Sequence, residues 1–298
     1  MRRAGRRYGS HNSGFRRART EPSRFPYDRR VAIRPPAVAG MFYEARPDRL
    51  EKSVRDFLPP RAQAAPAFGA IVPHAGYVYS GPVAGAVYAE LEVPEVAIIL
   101  CPNHTGRGAP LALDPSSAWR TPLGDVLVDR RLSRRMLELC PSLEEDAEAH
   151  RREHSLEVQL PFLQVLRPDA RFVPICIGEP SLALCREVGD ALATVRAEEA
   201  APPLVLASSD MNHYESREVG RRKDDLALAR VEALDAEGLY RTVLTESISM
   251  CGFLPSTALL FAAKSSGASA ARIVARRDSG DETRDPSSVV GYAGVVVN

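Results

Sequence analysis

Short, uncharged and mostly β-branched runs recur along the chain at Ala70–Val72, Val96–Leu100, Phe172–Ile177 and Leu204–Ala207. Runs this short without a charge predict strands buried on both faces. Between them, residues 81–91, 155–166 and 181–196 carry the mixed apolar and polar spacing of helices, and a further helix is expected to begin near Pro255. Strands alternating with helices predict an α/β fold: a single domain with a mostly parallel central sheet flanked by helices. Arg272–Ala275 and Val289–Val297 read as later strands at an antiparallel edge. Glycine and proline are dense only outside these runs, so no interdomain linker is expected after residue 35, and no tandem repeat is visible.

Composition changes this picture mainly at the N-terminus. With 298 residues, 45% of them hydrophobic, the chain can bury one sizeable core. Residues 1–34 hold eleven arginines against Glu21 and Asp28, a surplus of nine, so the rest of a chain with net charge +1 carries −8. A basic segment so poor in aliphatic residues cannot offset its ordering entropy. Residues 1–34 are therefore expected to be a disordered basic extension, and 35–298 the folded domain. An acidic body argues against nucleic acid as the main ligand. No apolar run is long enough for a bilayer and none has the signal-peptide pattern, so a cytoplasmic protein without a membrane partner is expected. The five cysteines are odd in number and contain no CxxC, which suggests neither a disulfide framework nor a zinc knuckle.

Three apolar runs stop abruptly in polar clusters: Ile71-Val72-Pro73 at His74, Leu100-Cys101-Pro102 at Asn103-His104, and Leu206-Ala207 at Ser208-Ser209-Asp210-Met211-Asn212-His213. Ligands of open parallel sheets bind beyond the carboxyl ends of the strands, which is where these histidines fall. Imidazole is the commonest transition-metal ligand, and a thiolate or carboxylate can complete a set begun by His74 and His104. Thirty residues between the two fit one βαβ unit, so they are expected to converge from neighbouring strands. Cys251 stands before the predicted helix at Pro255, where a thiol is biased toward thiolate, whereas Cys101 ends a buried strand and reads as core. Tyr77 and Asp210 are candidates to hold a ligating imidazole by its other nitrogen. His154 reads equally as a pocket base or a helix-entry contact.

Five ordered motifs carry a resemblance. Val72-Pro73-His74-Ala75-Gly76-Tyr77, Cys101-Pro102-Asn103-His104-Thr105-Gly106, Glu153-His154-Ser155-Leu156-Glu157, Ser208-Ser209-Asp210-Met211-Asn212-His213 and Met250-Cys251-Gly252 stand in the order seen in the Memo family, including the proteins called AmmeMemoRadiSam system protein B. The likeness runs from Ala37 to Gly294. It implies a fold similar to the class III non-haem iron extradiol dioxygenases and one iron or copper site matching His74, His104 and Cys251. It also implies an acid/base role for His213, places His154 and Glu157 near the pocket, and names radical SAM and AMMECR-type proteins of the same system as partners. Tyr77 and Glu157 are then expected to bind substrate, with His213, Asp210 and His154 catalytic. Thr105 and Cys101 depart from the family pattern without removing a ligand.

Three functions fit these residues. The first is metal-dependent redox or oxygen-handling chemistry on a small substrate. The second is a metal-free cysteine hydrolase with Cys251 as nucleophile, His213 or His154 as base and Asp210 as orienter. The third is a protein that binds a small molecule, a peptide or a metal ion in the same cleft without turnover. A cysteine in place of the dioxygenases' carboxylate softens the site, which favours copper(I) or thiolate-bound iron and speaks against ring cleavage.

Overall fold

The computed structural model describes residues 32–60 and 64–298, so most of the expected basic extension lies outside the described residues. In chain order the first elements are β1 (Ile33–Arg34), α1 (Pro47–Phe57), β2 (Gly69–Val72), α2 (Tyr77–Glu90), β3 (Val96–Pro102) and β4 (Leu111–Leu113). They are followed by β5 (Ala118–Thr121), β6 (Gly124–Val128), α3 (Arg130–Leu139), β7 (Glu144–Glu145), α4 (Leu160–Leu166) and β8 (Arg171–Ile177). The C-terminal half adds α5 (Leu182–Glu198), β9 (Leu204–Ser208), β10 (His213–Glu215), α6 (Arg217–Glu232) and α7 (Ala236–Thr245). It closes with α8 (Phe253–Ser265), β11 (Ala271–Asp278), α9 (Gly280–Thr283) and β12 (Val289–Val297).

The strands join in one sheet whose main path runs β1-β5-β6-β8-β3-β9-β2-β12-β10, with β11 on β12 and β4 joining β8 to β7. Its centre, β6-β8-β3-β9-β2, is wholly parallel. Antiparallel pairs join β5 with β6 and β12 with β2, β10 and β11 on the flanks, and the short β4 with the carboxyl end of β8. Because side chains alternate along a strand, each central strand feeds both helical layers. Ile98, Leu100, Val173 and Ile175 pack with residues of α3, α5, α6, α7 and α8. Ala97, Ile99, Phe172 and Cys176 pack with residues of α1, α2 and α4. The uncharged runs are thus strands buried on both faces, and the described residues form a single α/β domain.

Three sequence expectations shift. The fold takes in Ile33 and Arg34, paired in parallel with Ala118 and Trp119, so the domain starts ahead of the expected boundary at residue 35. Helix α2 begins at Tyr77, a turn before residue 81, and holds Pro82 inside it. Strands β2 and β3 are not neighbours, because β9 pairs with both and lies between them. Among the described residues no helix is long and apolar enough to cross a membrane.

Candidate metal centre

Strands β2, β3 and β9 are parallel, so their carboxyl ends open on one side of the sheet. His74 follows β2 and His104 follows β3, on either side of the Ser208–His213 segment that leaves β9. The insertion of β9 corrects the expected adjacency: the end of the middle strand supplies Ser208 and Asp210, which hold His74, while Glu153 of the loop before α4 holds His104. A third imidazole, His154, arrives from the loop before α4. His74, His104 and His154 each offer one nitrogen within 4.8 Å of the others, a group that can hold a metal ion. Their ring centroids lie 4.7–5.6 Å apart, with His104 stacked on His154.

The hydrogen bonds select the tautomer of His74. The Ser208 hydroxyl donates to the Ser155 carbonyl at 2.6 Å and accepts from the Gln159 amide at 3.0 Å. Its remaining lone pair, 3.0 Å from His74 Nδ1, receives that N–H, which leaves the Nε2 lone pair free for a ligand. Burial drives the His74 pKa well down, helped by the neighbouring His104 and His154, so this ring is neutral.

His104 is held differently. Its Nδ1 lies 2.9 Å from Glu153 Oε1 and its backbone N–H donates to Oε2 at 2.7 Å. Glu153 is fully buried and also accepts from the backbone N–H and hydroxyl of Ser155. Burial works against its charge, but the His104 hydrogen bond and charge outweigh it and hold the carboxyl well below the usual range. Reciprocally, burial lowers His104 while the bond and charge of Glu153 raise it further, so its pKa stands above the ordinary imidazole value. A carboxylate that fixes the far nitrogen of an imidazole is the usual support of a metal-bound histidine. His154 rests against Phe42 with centroids 4.6 Å apart, and burial lowers its pKa.

Cys251 and Asp210 complete the wall beside His74. Gly252 makes this possible, because a Cβ there would sit 2.2 Å from the Ser208 carbonyl oxygen and 2.4 Å from Ser209 Cβ. The chain can therefore press the Cys251 loop onto the end of β9. Cys251 Sγ lies 3.1 Å from His74 Nε2 and 3.3 Å from the Asp210 N–H that donates to it, outside the three-imidazole group. Asp210 Oδ1 accepts the His74 backbone N–H at 2.7 Å, and Oδ2 is 3.9 Å from His74 Nε2. Burial raises Asp210 to about 7 and pushes the Cys251 thiol well up, so the expected bias toward thiolate does not arise in the metal-free chain. His213 directs Nδ1 to the Ser249 carbonyl at 2.9 Å, so that nitrogen donates and Nε2 is free.

Two expected substrate contacts have their polar atoms engaged by the protein itself. Tyr77 is buried, donates to the Val158 carbonyl at 2.6 Å and packs on Tyr43, Phe57 and Phe162. Glu157 is fully buried, with its carboxylate occupied by Arg34, the backbone N–H groups of Ala37 and Val38, and the Tyr43 hydroxyl. Both serve the packing. Sequence reasoning also assigned the far nitrogens of the imidazoles to Tyr77 and Asp210, whereas Ser208, Glu153 and the Ser249 carbonyl take them. Glu153 carried a legible signal, an acid next to His154 within a recognised motif. Ser208 also stood in a recognised motif but with no charge to mark it out, and Ser249 carried no signal.

A family model described as Memo-like protein matches residues 34–296. The chain is similar to a MEMO1 family protein of Methanopyrus kandleri, 41% identical over 277 residues, which cover 88% of this chain and 98% of that one. It is also similar to a MEMO1 family protein of Pyrobaculum arsenaticum, 41% identical over 278 residues, covering 89% and 99% of the two chains. Among solved structures, an uncharacterized Escherichia coli K12 protein aligns with a TM-score of 0.44 at 16% identity, over 70% of this chain and 89% of that one.

Proposed function

The chain belongs to the Memo family, and from the pocket at the ends of β2, β3 and β9 we propose that it binds iron or copper and carries out redox or oxygen-handling chemistry on a small molecule or peptide. The observation that carries this reading is the convergence of His74, His104 and His154 within 4.8 Å, backed by the Ser208 and Glu153 bonds that leave the His74 and His104 Nε2 atoms free. Cys251 joins His74 as a neighbouring donor. Their donor atoms, Sγ and Nε2, are neighbours that can both reach one ion. The observed separation of Sγ and Nε2 is 3.1 Å. A thiolate among imidazoles favours copper or iron over hard cations. When bound, the ion supplies Lewis acidity and one-electron chemistry. His213, which burial keeps neutral with Nε2 free, is the base, and Asp210, raised to about 7, exchanges protons near neutrality. Five unpaired cysteines fit a reducing, cytoplasmic setting, and radical SAM and AMMECR-type proteins remain the partners we propose.

The contact between Cys251 and His74 also has the geometry of a thiol–imidazole dyad, which is what a metal-free hydrolase needs. Burial raises the thiol and lowers the imidazole, so the proton stays on sulfur and the nucleophile is not activated. Metal analysis of protein purified without chelators, followed by thiol labelling of Cys251 with and without metal, tests the choice. Stoichiometric iron or copper that protects Cys251 and is lost in His104→Ala is expected. Metal-free protein that takes up neither ion, with Cys251 labelled at the same rate throughout, overturns the proposal.

A further inference from the structure

A second polar cavity, of about 230 Å³, lies where α6 meets β11 and β12. Arg217 and Arg221 reach it from α6 and Arg276 and Arg277 from β11, around Asp224 and Asp278, each only 5% exposed. On an acidic body, where residues 35–298 carry −8, four guanidinium groups gather here around the carboxylates of Asp224, Asp225 and Asp278, with Asp281 paired to Arg217 and Arg277. Burial raises Asp224 to about 7, so a positive surplus develops as that carboxylate takes up its proton.

The carboxylates fix the guanidinium groups without using up their donors. Asp278 and Asp281 both take the same Arg217 nitrogen, Nη2, while Arg217 Nε is buried with no partner. Asp225 holds Arg276 through Nη1 at 2.5 Å. Each guanidinium carries five N–H donors, and fixed forks of this kind suit tetrahedral oxyanions. Asp278 adds a second requirement. Its Oδ2 is buried with no hydrogen-bond partner, and Arg221 Nη2 is 3.6 Å away. A lone acceptor among arginines asks for a ligand that brings one proton along with its negative oxygens.

We propose that this cleft is a binding site for a singly protonated phosphate group, inorganic phosphate or the monoanion of a monoester, in which the arginines hold the anionic oxygens and Asp278 Oδ2 accepts the remaining P–OH. Sulfate has the same shape but no proton to donate at neutral pH, so the site discriminates against it. The cleft contains none of the proposed metal ligands, and the inference is independent of the metal reading.

Calorimetric titration of the full chain at low ionic strength with inorganic phosphate, glycerol phosphate and sulfate tests it. One saturable site is expected, with phosphate at least tenfold tighter than sulfate. Arg221→Ala with Arg276→Ala should weaken phosphate binding tenfold or more, and Asp278→Asn should erase the difference between phosphate and sulfate. Thermal unfolding without ligand controls for folding, and Arg276→Lys, which keeps charge but loses the fork, replaces any variant that does not fold. His104→Ala should bind phosphate normally. Tighter binding of glycerol phosphate assigns the site to esters, and equal binding assigns it to free phosphate. Absence of saturation, equal affinity for sulfate in the wild-type chain, or full affinity in the double variant overturns the proposal.

Discussion

Glu153 and Glu157 stand four residues apart, and both are fully buried. Each carboxylate takes four donated hydrogen bonds, two of them from backbone N–H groups. They nevertheless belong to different regions. Glu157 faces the N-terminal segment and meets the guanidinium of Arg34, whose charge is permanent. Glu153 faces the pocket and meets the imidazole of His104, which can exchange its other proton for a metal. Burial and donor count are alike, so the chemistry of the partner decides: a guanidinium makes Glu157 a clasp of the fold, and an imidazole makes Glu153 a positioning residue of the site.

The largest expected effect comes from breaking the clasp. Arg34 also donates to the carbonyls of His150 and Glu153 and lies over the Trp119 ring at 3.9 Å, so its loss strands Glu157 and several acceptors at once. Removing one partner of a buried ion pair costs about 3–5 kcal/mol. Arg34→Ala, Glu157→Ala and a deletion through Arg34 should each show this loss in urea unfolding, with metal stoichiometry unchanged in the folded fraction. Unchanged stability would erase the distinction between the two glutamates.

The reciprocal change is Glu153→Gln. It leaves His104 in place but without its anionic support, so metal affinity should fall about 10–100-fold, with a smaller change in stability. The pH dependence separates the pair further. The folded pKa of Glu153 is depressed, so its stabilisation is complete above about 4.3 and disappears as pH falls through the depressed value. The folded pKa of His104 is raised, so its contribution is complete below about 6.5 and is lost as pH rises through the folded value. Stability profiles of wild type and Glu153→Gln should diverge most between these limits. Parallel profiles would place the pair's charge interaction elsewhere.

The two regions were unequally legible in the sequence. The buried strands were readable because runs such as Val96–Leu100 admit no solvent-exposed alternative, and strand ends located His74 and His104 because ligands collect there. Strand order was not readable: nothing local in Gly69–Val72 or Leu204–Ser208 says that β9 inserts between β2 and β3. Arg34 looked like one more arginine of a basic tail, since its burial depends on Glu157, far along the chain. For the same reason Glu157 read as a substrate contact and not as the partner of Arg34, and Ser208 was passed over although it fixes the tautomer of His74.

A finer test asks whether Cys251 belongs with the pocket or with its wall. His74, His154 and His213 are lowered by burial and neutral near pH 7, while His104, raised above about 6.5, gives up a proton when metal binds. Once His104 has lost its proton, the thiol of Cys251, pushed up by burial and by Asp210, is the last proton on the donor set. With sulfur as a ligand, iron(II) affinity should keep rising about tenfold per pH unit between about pH 7 and 9, and in Cys251→Ser it should level off. A plateau already present in the wild-type chain would leave the ion to the imidazoles.

The smallest expected effect sharpens the boundary of the clasp. The family match begins at residue 34, and the described fold begins with Ala32, whose carbonyl accepts from the backbone and hydroxyl of Ser117. Deleting residues 1–31 keeps Ala32, the Ile33–Arg34 pairing and the Glu157 ion pair, so stability should stay within about 0.5 kcal/mol of the full chain. Deleting three more residues removes Arg34 and should cost as much as Arg34→Ala. Urea unfolding of the two truncations therefore brackets the edge of the domain to those three residues. Equal stability of both would take Arg34 out of the clasp, and an equal loss in both would show that residues ahead of Ala32 contribute to the fold.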